Sequence, residues 1–298
     1  MAVYKRAYRP YDGPLTSQRW RFLVLPRYSL LELFESRALT AYVALCFVPF
    51  LVEAGAIYIA NSAPARALLR MPEVPDDLMR ANFFLGALTV QGVLAFMLTA
   101  WVAPVLVSPD LVNGALPLYL SRPFSRVEYV LGKATVLVAI LSAITWVPGL
   151  FLFGLQAGLA GVAWLAGNLR IPWAILVGSW IWIGVLTLLG LALSASIRWR
   201  LVASASIVAF LFMGGAFGEM WREVLRNPWG RLANVSYLIG LLWRDLFLPG
   251  EFQTRPGNLD GHRMADLPTW AAGVALLATS ALCVWVLDRR LRAREVVS

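Results

Sequence analysis

The residues best suited to specific chemistry lie in one polar stretch, SPDLVNGALPLYLSRPFSRVEYVLGK, at residues 108–133. It carries two carboxylates and three cations between long apolar runs. Ser108, a proline and Asp110 have the order of a helix cap, a first-turn residue and a charge that suits the positive end of the helix dipole. Ser125 and Glu128 have the spacing of a capping box. The stretch therefore predicts a short helix, a rigid SRP corner and a second helix start, which together form a surface suited to ion pairing with a partner.

Catalytic and metal chemistry have few candidate residues in this chain. The only histidine, His262, lies in a polar loop, and Cys46 and Cys283 lie inside apolar runs. A zinc site needs about four ligands at recognisable spacing, which these counts do not provide. The sequence LGKAT at Lys133 lacks the glycine spacing of a phosphate-binding loop. We expect no enzymatic activity, no metal and no cofactor on this chain.

The composition indicates a membrane protein. The chain of 298 residues is 59% hydrophobic and 14% charged, with a mean hydropathy of +0.68. Soluble domains are about 45–50% apolar and about 25% charged. Such a surplus of apolar residues exceeds what one water-exposed core buries. The net charge of +9 could indicate a nucleic-acid partner, but the cations flank apolar runs instead of forming one patch, so we expect none.

Six apolar segments are long enough to cross a bilayer, which takes about 20 helical residues. Backbone groups in lipid must be hydrogen-bonded internally, and the segments lack the alternation of β-barrel strands. We therefore predict an all-α protein with six transmembrane helices and a transmembrane domain over residues 39–287. The predicted spans are about 39–60, 83–107, 129–157, 171–195, 201–217 and 268–287.

Lysine and arginine are concentrated on one side of these spans. With the N-terminus inside, 16 of the 26 cations lie inside and 10 outside. The positive-inside rule then places both termini in the cytoplasm. We expect a multi-pass protein of the inner (cytoplasmic) cell membrane, with a basic cytoplasmic tail at residues 288–298.

Two segments outside the spans have helical patterns. The N-terminal segment 1–38 ends in PRYSLLELFESRAL, whose pattern predicts an amphipathic helix in the inner interface. That helix serves either as an anchor or as a docking element. The outer loop 218–267 contains apolar residues at helical spacing between Leu232 and Leu246, with Arg244 among them. This pattern predicts an interfacial or re-entrant helix that caps the outer side.

Two polar residues lie deep inside predicted spans. Glu53 is the only carboxylate there, about 10 Å from the outer end of the first span at about 1.5 Å per residue. Gln91 lies at nearly the same depth in the second span, so we expect the two side chains to approach within hydrogen-bonding reach. Ionisable residues inside a span are functional-site candidates. The alternatives are a neutral packing pair and a part of a translocation path.

The polar stretch resembles the signature of ABC-2 type transporter permeases. In that family an acidic residue opens a cytoplasmic helix, and an L-S-R-P-x-S-R corner leads to Y-x-x-G-K and the next span. The interfacial N-terminal helix and the six spans also fit the family's layout. The matching positions are Asp110, Leu116, Tyr119, Ser121, Arg122, Pro123, Ser125, Arg126, Tyr129, Gly132 and Lys133.

The resemblance implies the permease subunit of an ATP-driven exporter. Such a subunit pairs with a second permease copy, as a homodimer or heterodimer, and with separate cytoplasmic ABC ATPase subunits that hold ATP and magnesium. A short coupling helix in the loop 108–128 would receive the motion of the ATPase. The coupling residues implied are Asp110, Asn113, Leu116, Tyr119, Ser121, Arg122, Pro123 and Arg126.

Two other functions stay open from the sequence. A membrane anchor that transports nothing would carry the same docking stretch for an ATPase-containing assembly. A secondary transporter driven by ions should show inverted repeats and several buried charges, whereas we find one buried acid and no convincing repeat.

Overall fold

Every regular element in the described part of the chain is helical. This computed structural model describes residues 24–70, 80–114, 125–225, 228–249 and 267–291, and no strand occurs in these ranges. In chain order the helices are α1 (Val24–Glu35), α2 (Arg37–Asn61), α3 (Ala63–Leu68), α4 (Ala81–Val112), α5 (Arg126–Ile144), α6 (Trp146–Ala160), α7 (Val162–Gly167), α8 (Arg170–Ser196), α9 (Arg200–Leu225), a 3₁₀ helix (Pro228–Ala233), α10 (Val235–Phe247) and α11 (Thr269–Arg290).

Six helical segments are long and apolar enough to cross a membrane, as predicted. They are α2, α4, the pair α5–α6, α8, α9 and α11, and we number them as the first to sixth spans. Most bounds lie within a few residues of the predicted segments. The helix of the fifth span continues to Val224 rather than 217, so the first residues of the predicted outer loop 218–267 are helical. The all-α, multi-pass class is confirmed.

The second and fourth spans form the centre of the bundle. In each of them 67% of the most apolar window is buried, against 11% in the first span and 22% in the fifth. The fourth span packs against the second, third, fifth and sixth. The first and fifth spans therefore present most of their apolar surface outward, where lipid or another subunit can cover it.

The third span is broken at Thr145, between α5 and α6. The backbone of Thr145 has φ −111° and ψ −90°, and its hydroxyl donates to the carbonyl of Leu141 at 2.7 Å. Pro148, in the first turn of α6, has no N–H to donate to the residue four positions earlier, and its ring disfavours a continuous helix there. The break thus follows from the proline, although the sequence analysis treated the span as one helix.

The segment after the fifth span turns back along it. An added Cβ on Gly214 would lie 2.7 Å from the carbonyl oxygen of Ala233, and one on Gly218 would lie 3.3 Å from that of Gly230. The small residues of this G-x-x-x-G pair therefore let the 3₁₀ helix pack closely on the fifth span. Helix α10 follows with the apolar spacing that the sequence predicted.

Ion pairs hold this returning segment in place. Arg231 donates to Glu219 from Nε at 2.9 Å and from Nη2 at 3.3 Å, and its guanidinium lies 4.5 Å from the ring centroid of Tyr237. Burial alone lowers the pKa of Arg231, but the bonds to Glu219 and the contact with Tyr237 outweigh it and hold that pKa above its usual value. Glu219 also pairs with Arg222 at 3.0 Å.

Helix α1 lies where an N-terminal helix was predicted. It buries Pro26, Ser29 and Leu33 and packs against α5. Leu31 and Phe34, which belong to the predicted apolar face, are exposed. That face is available to lipid, and its interfacial location stays a prediction.

The charge distribution gives a topology that labelling can test. We expect cysteines introduced as Ser298→Cys and Asn258→Cys to react with a membrane-impermeant maleimide from opposite sides of the membrane. Both native cysteines are buried, so they should contribute little background. Labelling of permeabilised membranes is the control for reactivity. If intact cells show both positions labelled from one side, the arrangement with cytoplasmic termini is wrong.

Candidate functional site

The predicted helix start at Ser108 does not form. Helix α4 continues through Ser108 and Asp110 to Val112, and its C-cap residue, Asn113, donates from its backbone N–H to the carbonyl of Pro109 at 2.9 Å. The same residues that suit a first turn have here become the last turn of the second span. The apolar helix that precedes Pro109 continues past it. The hydroxyl of Ser108 donates to the carbonyl of Ile197 at 3.4 Å and does not cap a helix N-terminus.

The capping box at the start of the third span is confirmed. The hydroxyl of Ser125 accepts from the backbone N–H of Glu128 at 3.2 Å, and the carboxylate of Glu128 accepts from the N–H of Ser125 at 2.6 Å. Arg126, the first residue of α5, is exposed at the same end of the bundle as Asn113. The remaining predicted coupling residues lie outside the described part of the chain: Leu116, Tyr119, Ser121, Arg122 and Pro123.

Asp110 lies between the second and third spans rather than on an open docking surface. Its Oδ2 accepts from the hydroxyl of Tyr129 at 2.7 Å and lies 3.0 Å from the ammonium nitrogen of Lys133. The side chains of Lys133 and Asp110 are only 9% and 15% exposed. The carboxylate of Asp110 is thus already paired inside the bundle, and its predicted role in coupling to an ATPase stays a prediction.

This Asp110–Tyr129–Lys133 cluster fixes the two ends of one loop. Asp110 belongs to the final turn of α4, while Tyr129 and Lys133 lie in the first two turns of α5. The ion pair and the hydrogen bond thus hold residues 114 and 125 in a fixed relation at the ends of the connecting segment. The sequence contained one signal for this arrangement. Tyr129 and Lys133 are four residues apart, so both side chains lie on the same face of α5.

Glu53 and Gln91 line one small cavity, as their equal depth predicted. The cavity has a volume of about 10 Å³ and lies beside the break at Thr145. The side-chain N–H of Gln91 donates to the carbonyl of Cys46 at 3.2 Å. Within the described contacts, Oε2 of Glu53 and Oε1 of Gln91 have no hydrogen-bond partner, so the predicted bond between the two side chains does not form.

A much larger groove lies between the second span, the fifth span and α10. Its volume of about 600 Å³ is within the range of ligand-binding pockets, about 300–1,000 Å³. Apolar side chains such as Leu85, Val93 and Phe212 form its walls, and Asn82 and Arg244 add polar groups. Neither Glu53 nor Gln91 lines it, so the two residues predicted for a translocation path lie away from this groove.

Two buried tryptophans form one side of this groove. The indole N–H of Trp243 donates to the carbonyl of Gly178 at 3.0 Å, and that of Trp182 donates to the carbonyl of Gly92 at 2.9 Å. The rings meet edge to face with centroids 6.2 Å apart. Helix α10 is thereby inserted between the second and fourth spans. Trp243 was not among the residues predicted to have a role. A tryptophan in an amphipathic segment, together with glycines in two spans, does indicate close packing of that segment on those spans.

The described residues contain no group of three or more His, Cys, Asp or Glu side chains arranged to hold a metal ion. Comparison with protein-family models finds no match, and comparison with curated proteins finds none either.

Proposed function

We propose that the chain is the membrane subunit of an ATP-driven transporter of the ABC-2 type, acting as an exporter. The observation that carries the proposal is the set of contacts between the end of the second span and the start of the third. Asp110, Tyr129 and Lys133 are all positions of the family signature, and they contact one another. These signature residues thus share one physical role, because together they join the second span to the third at the end where an ATPase would dock.

The partners follow from this proposal. Cytoplasmic ABC ATPase subunits dock on the loop and hydrolyse ATP with magnesium, and this chain supplies no catalytic residue. A second permease copy, identical or different, covers part of the outward apolar surface of the first and fifth spans. Closure of the ATPases tilts the spans between inward-open and outward-open states.

The groove between the second span, the fifth span and α10 is the translocation path in this proposal. Its walls are mostly apolar and its polar side chains are few. This lining suits an apolar or amphipathic molecule better than a small hydrophilic solute. Glu53 and Gln91 then act within the bundle and do not touch the transported molecule.

One observation favours a second candidate, a secondary transporter driven by ions. Such transporters bind ions at broken helices near buried acids, and the break at Thr145 lies beside Glu53. Reconstituted transport separates the two candidates, because transport by the proposed exporter requires the ATPase and ATP, whereas that of the second candidate requires an ion gradient. A third candidate, a membrane anchor for an ATPase-containing assembly, would bind the ATPase and transport nothing.

Charge reversal in the loop tests the docking role. We expect Arg122→Glu and Arg126→Glu to weaken binding of the ATPase, because loss of a charged contact at an interface costs about 2–5 kcal/mol, or more than about tenfold in affinity. Co-purification and ATP turnover in nanodiscs measure the effect.

The matched control is Arg290→Glu, which reverses an exposed charge at the end of the sixth span. It should leave both binding and turnover unchanged. If both loop variants retain full binding and full stimulated turnover, their arginines act only in orienting the chain, and the docking role moves to the N-terminal helix.

A further inference from the structure

The small cavity beside Glu53 and Gln91 has the size and chemistry of a site for one small hydrogen-bond donor. We propose that it holds a single water molecule, which donates one O–H to Oε2 of Glu53 and the other to Oε1 of Gln91. The volume of about 10 Å³ corresponds to roughly one water. This inference goes beyond transport and concerns how the spans are held together.

Oε2 of Glu53 and Oε1 of Gln91 are buried without a hydrogen-bond partner, and both residues line the cavity. The amide orientation of Gln91 is set by its N–H bond to the carbonyl of Cys46 at 3.2 Å, which directs Oε1 elsewhere. Gln91 is 4% exposed, so bulk water does not supply the missing bond. Unsatisfied polar groups in a hydrocarbon environment are strongly unfavourable, and a buried water commonly satisfies them.

The other residues around the cavity cannot supply the donors. Phe84, Leu88 and Leu152 are apolar, and the hydroxyl hydrogen of Thr145 is already given to the carbonyl of Leu141 at 2.7 Å. A divalent cation is a poor fit, because it takes about six or more oxygen ligands and the side chains of Glu53, Gln91 and Thr145 carry four oxygens between them. One water with its two O–H groups matches the two acceptors.

The water would join the first span to the second at the level of the break in the third. The first span has 11% of its most apolar window buried, so it has little apolar packing to fix its position against the centre of the bundle. A bridge through Glu53 supplies a directional contact there. The buried acid thus serves as a structural tie rather than as a contact for cargo.

The direct test is a structure of the full chain in nanodiscs at a resolution that shows ordered waters elsewhere in the protein. We expect one density peak within hydrogen-bonding distance of Oε2 of Glu53 and Oε1 of Gln91. Direct contact between the two side chains, or an empty cavity, would overturn the proposal.

A thermal-stability cycle tests the same bridge in solution. Glu53→Leu and Gln91→Leu should each lower Tm by several degrees, and the double variant should fall no further than the worse single, because one water serves both. Additive losses would contradict a shared water. Glu53→Gln, which keeps the shape, should express normally. The control Thr187→Val removes a buried hydroxyl of the fourth span that does not line the cavity, and should change Tm little.

Ion dependence separates water from a monovalent cation. Wild-type Tm should be the same in sodium, potassium and lithium buffers of equal ionic strength. A rise in Tm that is specific to one of these ions and lost in Glu53→Gln would overturn the water and assign a cation. Because this measurement uses the intact wild-type chain without an ATPase, its result does not depend on the proposed exporter function.

Discussion

Replacing Asp110 with asparagine is expected to lower the free energy of unfolding by about 3–5 kcal/mol, the cost of leaving a buried charge without its partner. The substitution keeps the size of the side chain and an acceptor for the hydroxyl of Tyr129. It removes the negative charge 3.0 Å from the ammonium of Lys133, whose side chain is 9% exposed. Stability of the purified protein in mixed micelles, followed by tryptophan fluorescence during denaturation, measures the loss.

Removing both charges identifies the cause of that loss. Lys133→Met alone should be milder, because Asp110 keeps its bond to Tyr129 and is the more exposed partner of the pair. The double variant Asp110→Asn/Lys133→Met should recover most of the stability, since no unpaired charge is left. If the single variant Asp110→Asn is as stable as the wild type, the ammonium of Lys133 must reach water without its partner. The ion pair would then not hold the second and third spans together.

The contacts among Asp110, Tyr129 and Lys133 affect how the proposed coupling would work. In the proposed function, the contacts between the end of the second span and the start of the third would let the two spans move together. The capping box at Ser125 also fixes the first turn of the third span, which begins at Arg126. In the proposed function, Arg126 would dock the ATPase and Asp110 would hold the two spans together, so the residues that match the signature would have two different roles.

The spans could be predicted from the sequence because bilayer thickness sets their length and hydrocarbon excludes charge. The helix start at Ser108 was predicted wrongly for a related reason. A cap, a proline and an acid indicate a first turn when the segment is taken alone, but here a stable helix arrives from the N-terminal side and includes them. The residue types at Ser108, Pro109 and Asp110 contain no information about the helix that precedes them. The capping box at Ser125 was predicted correctly because its two bonds join residues only three positions apart.

The site residues divide in the same way. The common depth of Glu53 and Gln91 was predictable by counting residues, because helices rise by about 1.5 Å per residue. Gln91 bonds to the carbonyl of Cys46 and not to Glu53. This choice depends on how each helix is rotated about its own axis, and the sequence pattern does not give that rotation. The groove depends on α10 folding back, a tertiary event that the sequence indicated only as an alternative.

Replacing Trp243 with alanine is expected to lower the free energy of unfolding by about 3–5 kcal/mol, as removal of a large buried aromatic side chain does. Trp243 is 5% exposed, donates to the carbonyl of Gly178 and packs on Trp182. Its loss would also enlarge the groove that it borders. In the proposed function, the folded fraction of this variant should bind bulkier amphipathic molecules in the groove more readily than the wild type does.

The control for size and residue type is Trp180→Ala in the fourth span. This tryptophan is 50% exposed, so its removal should lower the free energy of unfolding much less.

A second pair of variants tests the packing of Trp243 against the second span. An added Cβ on Gly92 would lie 2.5 Å from Cη2 of Trp243, so Gly92→Ala should destabilise by about 1–3 kcal/mol through overpacking. Gly184→Ala meets no atom within 4 Å and should be neutral or slightly stabilising. Equal behaviour of the two alanine variants, measured by the same denaturation, would show that α10 does not pack between the second and fourth spans in the membrane.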